Sequence, residues 1–341
     1  VNKVRVAAIG LVLCTAGPIT AQNAASPASP PPATPALPDI DRTILHVQVI
    51  LDRLGFAPGV IDGKEGQSLT LALRGFQEAR GLPVTGEIDQ ATLRALYPHR
   101  AIRPTTTAVI AESDVAGPFI FPTPKEPEDQ AKLPGLFYQS PLEKLAERFH
   151  TTPATLVALN SPETPLRAGT RIVVPSAIPS SRDYQVKDEK VRTLLSSLNV
   201  DARQPQGDRV VVDKSDGSLK VFAGERLLAQ FPATMGSEHD PLPLGEWTIK
   251  GTSYNPPFHY NPDLFWDAEA DDKKTRLPPG PNGPVGVAWI DLSKEHYGIH
   301  GTSEPQTIGR AESHGCIRLS NWDVARLSLM VKPGTRAIFQ A

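Results

Sequence analysis

Cysteine is nearly missing from this chain: its 341 residues hold two, Cys14 and Cys316. Two thiols so far apart exclude a disulfide-dense scaffold and a zinc site built on four thiolates. A surplus of either charge is missing too, because 35 Lys and Arg stand against 37 Asp and Glu for a formal net charge of -2. That balance creates no basic field able to hold nucleic acid through its phosphates, so no nucleic-acid partner is expected. The one apolar run near the start falls short of the roughly 20 residues a membrane-spanning helix needs. What the chain has in quantity is proline, 35 residues, about twice ordinary usage. Two or three modest domains joined by proline-rich linkers are expected at this length.

Residues 1–21, VNKVRVAAIGLVLCTAGPITA, place Lys3 and Arg5 ahead of the apolar run and close on Thr20 and Ala21. This is the three-part layout of a secretory signal peptide. Its removal takes Cys14 with it, since Leu13 is too bulky for a lipid-attachment site, and leaves Cys316 as the one thiol. The expected location is the periplasm or cell wall, with no transmembrane span after signal cleavage. Residues 22–40 are too rich in proline and too poor in large apolar side chains to fold, and read as a linker. Residues 99–134, with Pro104, Pro118, Pro122, Pro124, Pro127 and Pro134, read as a second.

Between the linkers, Ile44, Val47, Ile50, Leu51 and Leu54 repeat at helical spacing and stop at Gly55. Leu69, Ala72, Leu73 and Phe76 repeat it after Ser68, a candidate N-cap, and Ala91, Leu93 and Leu96 mark a third helix. Residues 41–98 are thus a small three-helix module. Its text LGFAPGVIDGKEGQSLTLALRGFQEARGLPVTGEIDQATLRAL resembles the peptidoglycan-binding domain family, in the Gly-rich turn, the helix ending in Phe-Gln and the closing Thr-Gly to Thr-Leu stretch. In residues 135–178, Ser140-Pro141-Leu142-Glu143 is a capping box with proline at the first helical position. Thr152-Pro153 opens a second helix, and LRAGTRIVVP ends in a β-branched strand. This segment resembles a LysM glycan-binding module in Leu-x-x-Leu-Asn160 and in its ending from Gly169 to Pro175. The usual first strand and Gly-Asp turn are missing, and a spacer that binds no sugar is the alternative. Neither module is assigned binding residues.

Residues 208–341 change texture. Arg209 to Asp213 is a Val-rich strand, Asp216-Gly217 a hairpin signal, and Leu219 to Phe222 alternates. Further strands are expected at Leu227 to Phe231, Trp247 to Gly251, Val285 to Leu292, Gly298 to His300 and Ala337 to Phe339, with one helix near Asp323 to Met330. The chemistry concentrates in YGIHGTSEPQTIGRAESHGCIRLS. A free cysteine thiol, with a pKa of about 8.5, is only a few per cent ionised near neutrality, so a nucleophilic Cys316 needs an imidazole to take its proton. His300 is the candidate base. Gly301 and Gly315 permit close backbone approach and leave amide N–H groups to face a developing oxyanion. A buried inert cysteine is the plain alternative for Cys316 alone; with His300, His314 and both glycines the pattern points to acyl transfer.

His300, Ser313, His314, Gly315, Cys316 and Arg318 match the signature of the L,D-transpeptidase (YkuD-type) family, which the sequence resembles over roughly residues 208–340. TMGSEHDPLPLGEWTI and LPPGPNGPVGVAWIDL resemble flanking family segments, with Leu242 where Thr is usual. The resemblance implies a multidomain α+β chain: a mainly-β catalytic domain preceded by a small three-helix module and a small LysM-like α/β module. It also implies an acyl-enzyme route in which Cys316 attacks a tetrapeptide stem, D-alanine leaves, and a second stem's amine completes a 3-3 cross-link. Gly301, through its carbonyl, would orient the His300 ring, the amides of Gly315 and Cys316 would form the oxyanion hole, and His314 would shape the pocket. Ser313 and Arg318 would face substrate, Arg318 as a carboxylate clamp or else in a surface ion pair. The expected partners are peptidoglycan stem peptides and glycan, with no cofactor and no metal.

An L,D-carboxypeptidase or hydrolase of the same fold, and a catalytically inactive wall-binding protein, are the competing readings. A zinc peptidase is a more distant one, since Gly298 between His296 and His300 breaks the helical metal spacing. Asn321 reads as a helix N-cap. Residues 253–284 hold too many prolines for regular structure and read as a lid over the cleft, or as a surface loop.

Overall fold

The computed structural model describes residues 37–266, 268–269, 271–310, 313 and 315–341. The expected signal peptide, most of the first linker and His314 lie outside the described residues. Among those described, no helix is long and apolar enough to cross a membrane.

Helices α1 (Arg42–Arg53), α2 (Gln67–Ala79) and α3 (Gln90–Leu96) stand where the apolar periodicity predicts them. Asp41 caps α1 by accepting the N–H groups of Thr43 and Ile44 at 2.7 and 3.0 Å, which satisfies donors that a helix start leaves open. Ser68 is not the cap of α2: the helix starts one residue earlier, behind Gly66, which offers no side-chain bond. The Phe-Gln ending has a physical reason. Phe76 meets Phe56 edge-on at 5.7 Å in the module core, while buried Gln77 ties down the following turn through Thr92 Oγ1 at 2.9 Å and the Gly86 N–H at 2.8 Å.

The second linker is not a bare tether. Its residues form β1 (Thr105–Val109) and two short helices, α4 (Glu112–Val115) and α5 (Pro127–Gln130). After α6 (Pro141–Arg148) and α7 (Pro153–Leu159), strand β2 (Arg171–Pro175) pairs antiparallel with β1, Thr105 opposite Pro175 and Val109 opposite Arg171. The first strand that residues 135–178 lack is therefore supplied by the linker. The prolines flank β1 without interrupting it, so its N–H groups stay available for the ladder. Helix α8 (Glu189–Ser197), in a stretch with no assigned domain, buries Val191 and Leu195 in the core of the last domain.

That domain contains β3 (Arg209–Asp213), β4 (Ser218–Ala223), β5 (Arg226–Pro232), β6 (Thr234–Met235), β7 (Gly245–Tyr254), β8 (Phe258–Tyr260), β9 (Thr275–Leu277), β10 (Ala288–Leu292), β11 (Gly298–His300), β12 (Ile317–Arg318), α9 (Asn321–Ser328) and β13 (Arg336–Gln340). Nine strands make one sheet in the order β5-β4-β3-β13-β7-β10-β11-β12-β6. The pairs β3–β13 and β11–β12 are parallel. Alternation drives Val210, Val212, Leu219 and Val221 inward, into the same core as the buried residues of α8 and α9. Trp322 of α9 is fully buried among them. The segment expected to lack regular structure carries β8 and β9, paired antiparallel with Phe258 opposite Leu277. The cap of α9 is Ser320, which accepts the Asp323 N–H at 3.1 Å. Asn321, expected to cap that helix, lies one residue inside it, with its side chain wholly buried.

The first module docks on the outer strand of the sheet. The Ala57 N–H donates to Gln230 O at 2.8 Å, and the Gln230 N–H to Gly55 O at 3.0 Å, covering an edge that would otherwise offer itself to another chain. Behind it, Asp52 of α1 receives Arg326 of α9 at 3.1 Å and His150, from the turn after α6, at 3.3 Å. His150 stacks on Trp322 with ring centroids 5.2 Å apart. One buried polar cluster thus ties all three modules together.

Candidate active site

His300 ends β11 and Cys316 immediately precedes β12. In the parallel ladder Ile299 pairs with Ile317 and His300 with Arg318. Strand alternation then puts Ile299 and Ile317, both fully buried, on one face, and His300, Cys316 and Arg318 on the other. The predicted nucleophile and base are thus brought to one face of adjoining strands.

The imidazole is held from two sides. Nδ1 lies 2.8 Å from the Gly301 carbonyl, which only accepts, so Nδ1 carries the proton and Nε2 is left as a base. The ring stacks on Trp289 of β10, its cross-strand partner, at 5.5 Å and 13°. Burial pushes His300 down to about 4, the Arg318 charge acts in the same direction, and the bond to Gly301 opposes it. At neutral pH the ring is uncharged.

Half-buried Cys316 donates its S–H to the His296 carbonyl at 3.7 Å. Burial raises its pKa, with Asp240 adding to the rise, while the Gly298 amide and Arg318 lower it. Gly315 has φ +86, and a Cβ there would stand 2.6 Å from the Tyr297 ring; only glycine fits under that tyrosine. No turn or loop hydrogen bond among the described residues uses the Gly315 or Cys316 N–H.

Ser313, expected to face substrate, is held inside the loop. Its hydroxyl accepts the Gly236 N–H at 2.6 Å and donates to Cys316 O at 2.7 Å. With 2 % of its surface exposed, it fixes the backbone at the thiol and has no room for a ligand. Arg318 is half-buried beside His300 and Cys316, and its charge is felt by each. From the 253–284 segment, Trp266 stacks on His239 at 4.3 Å, the residue before Asp240.

Sequence reasoning passed over Trp289, Tyr297 and Asp240, which carry no motif. It also missed Glu147, 174 residues from Asn321, whose side chains bond at 2.7 Å. Glu147, Tyr138, Glu143 and Asn282 line a cavity of about 500 Å³ that is also lined by Ser303 to Gln306, the loop that leaves His300.

Two stretches of this chain are similar to known families. Residues 207–338 match the family model YkuD, described as "L,D-transpeptidase catalytic domain", and residues 42–96 match PG_binding_1, "Putative peptidoglycan binding domain". The "Putative L,D-transpeptidase YkuD" of Bacillus licheniformis is 34% identical over 38% of this chain and 62% of its own length. Its Bacillus subtilis namesake is 34% identical over 35% of this chain and 57% of its own. The match therefore spans less than two thirds of these relatives. A solved L,D-transpeptidase from Mycobacterium smegmatis aligns over 39% of this chain and 58% of its own at 24% identity, with a TM-score of 0.31. The LysM resemblance of residues 135–178 has no counterpart among these family matches. The chain carries a YkuD-type L,D-transpeptidase catalytic domain and, ahead of it, a peptidoglycan-binding domain.

Proposed function

We propose that this protein is an exported, cysteine-dependent L,D-transpeptidase that forms 3-3 cross-links between peptidoglycan tetrapeptide stems, in the periplasm or cell wall. Cys316 Sγ attacks the carbonyl carbon of the stem's third residue, and its proton passes to His300 Nε2. The carbonyl oxygen takes the negative charge against the Gly315 and Cys316 amides. As the carbon–nitrogen bond breaks, Nε2 returns the proton to the leaving amine and D-alanine departs. The amine of a second stem then attacks the thioester and gives its proton to Nε2; as the new amide forms the carbon–sulfur bond breaks, and Nε2 returns that proton to the departing Cys316 Sγ.

One observation carries the reading: His300, with Nδ1 tied to Gly301 O, shares a strand face with Cys316 across a register that leaves Nε2 basic. Arg318 beside them supplies a cation for a stem carboxylate, and the peptidoglycan-binding domain supplies the approach to the wall. Incubating the protein with purified disaccharide tetrapeptides and following the products by mass spectrometry tests this. A dimer that has lost one D-alanine is expected. Tripeptide monomer alone would assign water as the acceptor, and unchanged substrate would leave a wall-binding protein.

A further inference from the structure

Resting on that reading and deepening it, we propose that Glu147, a residue of the second module, is a positioning residue for His300, acting through Asn321 and Gly301. The contacts form an unbroken line. Glu147 sits on α6 with 7 % of its surface exposed. One carboxylate oxygen accepts the Tyr138 O–H, and the other accepts Asn321 Nδ2 at 2.7 Å. Asn321 Nδ2 also donates to Pro281 O at 3.1 Å, while its Oδ1 accepts the Val287 N–H at 3.1 Å. The amide is thereby fixed end for end, since a flipped side chain would set its oxygen against two acceptors.

The oriented Oδ1 is the surface on which the base is built. It lies so close to Gly286 and Gly301 that a Cβ at either would collide with it. Gly301 is the residue whose carbonyl holds His300 Nδ1 at 2.8 Å. A shift of α6 would free the Asn321 amide to turn, release Gly301, and misdirect Nε2. The second module thus has work at the reacting centre whether or not it binds glycan.

The same contact carries a titration. Burial raises Glu147 to about 7, and the bonds from Tyr138 and Asn321 oppose that rise. Glu143, one turn earlier on α6, raises it further and His150 lowers it. Helix α9 presents the uncharged Asn321 amide, and Lys125 and Glu304 share the cavity that Glu147 lines. Ionised, the carboxylate accepts from both neighbours; once protonated, one oxygen becomes a donor and the line must rearrange.

The test uses the full chain and follows two reactions at Cys316 by peptide mapping across pH 5 to 9: acylation by a tetrapeptide stem and alkylation by iodoacetamide. The wild type is expected to show an inflection near 7 in acylation, and Glu147→Gln to lose it while staying folded by circular dichroism. Glu147→Ala should lower the acylation rate constant roughly tenfold to a hundredfold with KM unchanged, as supporting partners of catalytic groups do. Combining it with Asn321→Ala should add little beyond Asn321→Ala alone. In the alkylation arm, both Glu147 variants should displace the pH dependence. The proposal is overturned if Glu147→Gln keeps the wild-type profile in both reactions, or if the double variant is fully additive. A wild type that no stem acylates would sink the proposed activity instead, and the iodoacetamide arm would still decide the role of Glu147.

Discussion

The pair proposed to react is arranged as two uncharged groups. Burial lifts the Cys316 thiol and drops His300 to about 4, so at neutral pH the proton sits on sulfur, and in the proposed reaction it would move to Nε2 as the carbon–sulfur bond forms. A preformed thiolate–imidazolium pair, as in enzymes whose cysteine pKa is strongly depressed, is not what these surroundings favour. The consequence is measurable. In Glu147→Gln, where the step near 7 is removed, acylation should retain one acid limb near pH 4, as His300 gains a proton and ceases to accept. Iodoacetamide, which needs the thiolate, should react slowly with Cys316 at pH 7 and faster well above it; rapid alkylation at pH 6 would contradict the neutral pair. Gly315→Ala probes the oxyanion side. Its Cβ would press on Tyr297 and its φ of +86 suits glycine alone, so acylation should fall by roughly a hundredfold, and the melting temperature should fall with it because alanine is strained at that φ.

Among elements, α9 joins the candidate site to the buried Asp52 cluster through Asn321 and Arg326, and its two buried ends pull stability in opposite directions with pH. Toward its C-terminus, Arg326 pairs with Asp52, whose carboxyl it holds, with His150, well below the usual range. A depressed carboxyl contributes stability above its unfolded value, and that contribution is lost as pH falls through the folded one. Toward its N-terminus, Asp323 is raised to about 6, and Glu147 against Asn321 to about 7, chiefly by burial. Raised carboxyls give the reverse: their contribution is present in acid and lost as pH climbs through 6 and 7. Scanning calorimetry should therefore find the highest melting temperature between about pH 4 and 6. Arg326→Ala, which leaves Asp52 buried beside His150 alone, should cost about 3–5 kcal/mol; a loss below about 1 kcal/mol would show that the cluster does not hold the modules. These buried ends explain what the sequence could and could not reveal. Alternation in Arg209 to Asp213 and 3.6-residue spacing in α1 and α2 are local signals, and so is the His300 to Cys316 motif. The pairing of Thr105 to Val109 with Arg171 to Pro175, the Asn321–Glu147 bond and the Asp52–Arg326 pair join residues far apart in sequence and leave no periodic trace. Ser313 was misread for the same reason: a motif reports which residues matter, and burial decides whether they touch substrate or hold the loop.

At the scale of the whole molecule, the three modules form one body around the catalytic sheet. The peptidoglycan-binding domain shields the β5 edge through Phe56 and Gln230, and the second module reaches the His300 platform through Glu147. Removing residues 37–98 should therefore unmask the β5 edge as well as weaken wall binding. Light scattering after size exclusion should show self-association of the shortened chain, where a stable monomer with full activity would mean that the docked edge needs no cover. The central claim is that one sulfur and one imidazole perform the chemistry, and trapping the intermediate tests it most directly. Protein mixed with a tetrapeptide stem and quenched in acid should gain the mass of the acyl tripeptide at Cys316. Cys316→Ala should gain nothing, and His300→Gln should acylate far more slowly at the same residue. An adduct on another side chain, or D-alanine released by Cys316→Ala, would contradict the account.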